Sequence, residues 1–152
     1  ENDISEMEKL QQKAQQAKDD FNNLSSRIQT IDARLKDISA LQKHIGIYSK
    51  TREVYAGYRK AGYSKKHLAE HEDSINAHKA AKKYFDSLGL KKLPTIKTLQ
   101  TEYATLSAEK KKLYGEYHPA RKYMQDILTA KQNAEQLLNY RETEKTKESE
   151  RI

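Results

Sequence analysis

Residues 7–38 read MEKLQQKAQQAKDDFNNLSSRIQTIDARLKDI. The apolar positions in this stretch are Met7, Leu10, Ala14, Ala17, Phe21, Leu24, Ile28, Ile31, Leu35 and Ile38. They recur at alternating steps of three and four. A mean spacing of about 3.5 residues keeps one narrow stripe turned toward a partner helix, the condition for knobs-into-holes packing. A second stripe lies near the C-terminus: Ile96, Leu99, Tyr103 and Leu106, then Leu113, Tyr117, Ala120, Met124 and Ile127, then Ala134 and Leu138. Two stripes in one chain predict an all-α fold: a long antiparallel coiled-coil helical hairpin, with a short helix and loops at its tip. Fifty helical residues would span about 75 Å. The same stripes could pair between two copies of the chain, so the sequence leaves a monomeric hairpin or a dimer.

Composition agrees with an elongated helical chain. Of 152 residues, 36% are hydrophobic and 34% charged. A coiled coil needs apolar residues only along its seam, whereas a globule of this length needs a wider core. Two Pro, five Gly and no Trp fit a mostly helical chain. No apolar stretch approaches the roughly 20 residues that span a bilayer, so no membrane role is expected. Residues 1–20 lack the apolar segment of a signal peptide. The first residue is Glu, as expected of a piece of a longer protein. The absence of Cys removes disulfide and thiol chemistry and points to the cytoplasm.

The chain divides into a first arm (about 3–57), a basic tip segment (58–93), a second arm (94–142) and a charged tail (143–152), together one helical domain. Asp3 and Glu6 form a variant capping box for the first helix. Gly46 would cost about 1 kcal/mol of helix propensity and marks a bend. Gly57 and Gly62 bracket the helix end. Ser64 is an N-cap for one helix over about 64–88, carrying Leu68, Ile75, Phe85 and Leu88 on one face with Tyr84 beside them. Gly89 stops it. Pro94 takes the first position of the last helix, and Pro119 inside that helix predicts a kink. The tail from Arg141 lacks an apolar stripe and is expected to fray.

Net charge is +7, and the excess is concentrated: residues 58–92 hold nine Lys/Arg and four Asp/Glu. The pairs Lys65-Lys66, Lys82-Lys83 and Lys91-Lys92 are candidate phosphate contacts for nucleic acid. Binding of that kind is non-specific and falls steeply with salt. Their bland reading is a solvated helix face. His67, Glu70 and His71 match H-x-x-E-H, an inverted zinc-protease spacing, with His78 eleven residues beyond His67. A protease would also need a further carboxylate ligand and an enclosed cleft, so the simpler reading is loosely packed histidines and no metal. The ten tyrosines are read as an aromatic core, with base stacking by one or two as the alternative. A nucleophilic tyrosine needs a base or metal beside it, and none is evident. No Gly-rich phosphate loop and no Ser-His-Asp pattern occurs. No catalytic residue and no cofactor is assigned.

Several stretches carry a family likeness: Gly62-Tyr63-Ser64-Lys65-Lys66; His78-Lys79-Ala80-Ala81-Lys82-Lys83-Tyr84-Phe85; Gly89-Leu90-Lys91-Lys92-Leu93-Pro94-Thr95-Ile96; Ala108 to Tyr114; and Leu128-Thr129-Ala130-Lys131. From about Tyr58 to Leu138 the chain resembles the C-terminal helical region of relaxases, the mobilisation nucleases of conjugative and integrative elements in Gram-positive bacteria. Such enzymes nick one DNA strand with a catalytic tyrosine and a histidine-bound metal, in an N-terminal domain whose motifs this chain lacks. The resemblance implies a non-enzymatic accessory domain whose partners are DNA or proteins of the conjugation and secretion machinery.

Overall fold

The computed structural model describes the backbone of residues 2–151, and side chains over 5–150. It is 91% helical, with no strand among the described residues. Four helices follow in order: α1 (Asn2–Lys60), α2 (Lys65–Glu70), α3 (Glu72–Ser87) and α4 (Ile96–Arg151). No helix among the described residues is long and apolar enough to cross a membrane.

The helix ends follow local chemistry. α1 begins at Asn2, one residue before the predicted cap Asp3, whose side chain lies outside the described residues. It runs through Gly46 and Gly57 and stops at Lys60. There the Gly62 N–H donates to Arg59 O (3.1 Å) and the Tyr63 N–H to Tyr58 O (3.0 Å). This paired closure needs a left-handed residue after the cap, and Gly62 supplies it at φ +67°. α3 closes in the same way. The Gly89 N–H donates to Asp86 O and the Leu90 N–H to Phe85 O, with Gly89 at φ +66°. The Thr95 hydroxyl accepts from the Thr98 N–H at 3.1 Å and so caps α4. Pro94 therefore precedes the cap instead of opening the helix as the sequence predicts.

Two other expectations change. The single helix expected over 64–88 is two, because His71 (φ −131°, ψ 31°) leaves helical geometry and serves as the cap between α2 and α3. The tail expected to fray from Arg141 is helical through Arg151. Local bonds hold that turn pattern: the Thr146 hydroxyl donates to Glu142 O, and Lys147 lies 3.8 Å from Glu144. α4 also runs through Pro119.

The chain forms two compact units, one of Glu1–Ile31 with Glu109–Ile152 and one of Asp32–Ala108. In the first, Ala14, Ala17, Ile28, Ile31 and Leu113 are buried. Phe21 packs on Tyr117 with ring centroids 5.0 Å apart, and Arg27 pairs with Glu109. In the second, Ile38, Leu41 and Ile45 of α1 meet Ala81 and Phe85 of α3 and Leu99 of α4 in one apolar cluster. Arg34 grips Glu102 with two bonds, of 2.6 and 3.0 Å. Those bonds hold the Glu102 carboxyl below its ordinary range and raise Arg34. The first stripe of the sequence is buried or half-buried over Met7–Ile38. The second departs from expectation at Ile96 and Tyr103, which are exposed. Tyr103 lines a shallow surface depression with Ser39, Gln42, Gln100 and Ala104.

Candidate nucleic-acid interface

Charge is divided sharply between the two units. The unit Asp32–Ala108 carries 15 Lys/Arg against 8 Asp/Glu, which is +7; the other carries 14 of each. The whole net charge of the chain thus lies on one unit. An excess of one sign on a surface raises the local concentration of counter-ions.

The six predicted lysines are all exposed on this unit. Lys65 and Lys66 open α2, Lys82 and Lys83 lie on α3, and Lys91 and Lys92 stand in the loop before α4. Why α3 presents its pair outward is plain from its buried face. Ile75, His78, Ala81 and Phe85 turn inward, so the positions following Ala81 face water. None of the six forms an ion pair among the described residues. The same holds for Arg59 and Lys60, which the sequence reading passed over. Lys79, also passed over, sits 5.4 Å from the centre of the Tyr58 ring. It escaped notice because it belongs to no lysine pair.

The same unit holds a ladder of aromatic and imidazole rings. His78 is sandwiched between Tyr48 and Tyr55, each 4.4 Å away and about 20° from parallel. Tyr84 covers His44 at 3.9 Å. The Thr51 hydroxyl donates to Ile47 O at 2.7 Å and lies 2.8 Å from His78 Nδ1. A hydroxyl has one proton to give, so Nδ1–H is the donor to Thr51 and Nε2 is the bare nitrogen of a neutral ring. Burial, with Lys82 adding to it, pushes the His78 pKa below the ordinary 6.5. Most tyrosines of this unit thus serve packing. The exceptions are Tyr103, 40% exposed, and Tyr63, which at 56% is the more exposed of the two.

The H-x-x-E-H residues do not sit on one continuous helix. His67 is in α2, Glu70 ends it, and His71 is the junction. The His67 and His71 rings are 4.8 Å apart. His67 lies against the α1 backbone, where a Cβ on Gly57 would meet its Cε1 at 3.3 Å and Nε2 at 3.4 Å. Nε2 is buried there with no hydrogen-bond partner among the described residues. No group of three His, Asp or Glu side chains among the described residues is placed to hold a metal ion.

No described protein family, curated protein or solved structure matches the chain. The likeness to relaxases therefore rests on the quoted residues alone.

Proposed function

We propose that this chain is a non-catalytic helical module that holds nucleic acid by its phosphates, working as an accessory domain of a conjugative DNA relaxase in the bacterial cytoplasm. The observation that carries the reading is the confinement of the entire +7 charge to the unit Asp32–Ala108, with its lysines exposed and without ion pairs among the described residues. The stem would be an antiparallel coiled-coil hairpin. In its support, partners on α4 rise in number as those on α1 fall: Arg34 with Glu102, Arg27 with Glu109, Phe21 with Tyr117. Proteins of the transfer machinery would be its second class of partner.

The test is a fluorescence-anisotropy titration with single- and double-stranded DNA over a range of salt. The comparison is a variant with Lys65, Lys66, Lys82, Lys83, Lys91 and Lys92 changed to Glu. If all six meet phosphates, log K against log salt has a slope of about −4 for single strands and about −5 for duplex. The variant loses binding. No binding at low salt refutes the reading.

A second reading is a coiled-coil scaffold or dimerisation module with no nucleic-acid role. Ile96, Tyr103, Leu137 and Tyr140 favour it, since these exposed apolar residues would be covered by a further helix. A stable dimer by light scattering, with no DNA affinity, would select it.

A further inference from the structure

We propose that Tyr63 is a base-stacking platform that makes the basic unit prefer single-stranded nucleic acid over duplex. The inference rests on the phosphate-holding reading above and deepens it. Tyr63 follows the last turn of α1 with φ +59°, immediately after Gly62 at +67°. Two successive left-handed residues are the cost of turning the chain sharply here. Glycine or asparagine fills such a position without strain, whereas a bulky residue there is a rarity. Packing does not account for the choice. Tyr58, the neighbour that Tyr63 touches edge-on at 5.2 Å, is 6% exposed, while more than half of Tyr63 stays in water. The contact braces one part of the ring and leaves the rest presented.

The surroundings supply the other half of a single-strand site. Arg59 and Lys60 precede the turn, and Lys65 and Lys66 follow it, all exposed and without ion pairs among the described residues. Lys79 is held over Tyr58 beside them. Sites for single strands combine such backbone-tracking cations with an aromatic face on which an unpaired base stacks. A duplex offers the same phosphates but keeps its bases stacked on one another. The cations should therefore serve both forms and the ring only one.

The experiment compares the chain with Tyr63→Gly, Tyr63→Phe and Tyr63→Trp variants, binding a short mixed-sequence oligonucleotide as single-stranded DNA, single-stranded RNA and DNA duplex. Tyr63→Gly suits the positive φ, so its effect is not backbone strain. It should weaken single-strand binding by about 5- to 150-fold and leave duplex binding within about twofold, while Tyr63→Phe retains affinity. The chain has no other Trp, so Tyr63→Trp places a single indole at the site. Its emission should be quenched by single strands and not by duplex. Equal effects of Tyr63→Gly on both forms, or an indole that does not respond, overturn the stacking inference and leave phosphate holding intact. Absence of binding by the unaltered chain overturns both.

Discussion

Replacing Leu99 by Ala should destabilise the basic unit by a large share of its stability. Leu99 is 1% exposed and is the α4 member of the cluster formed with Ile38, Leu41, Ile45, Ala81 and Phe85. Three carbons leave the core. At about 0.8 kcal/mol per buried methylene the transfer loss is about 2.4 kcal/mol. Three helices meet at this point, so the walls cannot all move inward, and a residual cavity adds to the cost. Leucine-to-alanine changes in buried sites cost about 3–5 kcal/mol, and the value here should be near 3–4 kcal/mol by the same measure. Domains of ordinary stability have about 5–15 kcal/mol in total, so this is a large share. With a urea dependence near 2 kcal/mol per molar, the midpoint should fall by roughly 1.5–2 M. The assay is urea unfolding followed by circular dichroism, with Leu137→Ala as the control, since Leu137 is exposed on the same helix. That control should shift stability by no more than about 0.5 kcal/mol. A Leu99→Ala loss below about 1 kcal/mol, or one equal to the control, would refute the three-helix core.

Two glycines of α1 should respond differently to alanine. Gly46 has nothing within 4 Å of its added Cβ, so Gly46→Ala should stabilise by about 0.5–1 kcal/mol in thermal melts. At Gly57 the new methyl meets the His67 ring at 3.3–3.4 Å, and that ring is backed by Tyr58 and His71. Gly57→Ala should therefore fall at least about 1 kcal/mol short of Gly46→Ala; equal gains would count against the contact. His78 should make stability depend on pH. Its folded pKa lies below the ordinary 6.5 because the neutral ring is favoured by burial between Tyr48 and Tyr55, with Thr51 and the Lys82 charge facing it. Between the two values the unfolded chain binds more protons. Its contribution is thus complete above about pH 6.5 and is lost as pH falls through the folded pKa. His78→Asn keeps a donor for Thr51 and cannot titrate. Its urea midpoint should change less between pH 7.5 and 5 than that of the parent, and parallel profiles would remove His78 as the cause.

Much of the fold could be read from spacing. Met7 to Ile38 are buried or half-buried in the order the stripe requires. Gly62, Gly89 and Ser64 mark helix ends as their chemistry dictates. The division of 64–88 at His71 is not legible in the sequence, because no residue there carries a strong stop signal; the His71 N–H closes α2 on His67 O and Leu68 O, and the same residue opens α3. The exposed lysine pairs were legible as pairs. Nothing in the sequence sets Lys79 or Tyr63 apart from their like, since one is a lone lysine and the other a tyrosine among ten.

By itself the sequence determined helix, stripe and charge, because each depends on residues close together along the chain: a 3.5-residue repeat, a local cap, a run of lysines. Tertiary structure decided which rings are core and which stand in water. Tyr58 and Tyr63 are five residues apart and chemically identical, yet one is buried under Lys79 and beside His67, while the other is held outside by two left-handed residues. The difference comes from α2 and α3 folding back over α1. For these two rings burial depends on what approaches from elsewhere in the chain, and the residues beside them do not encode it.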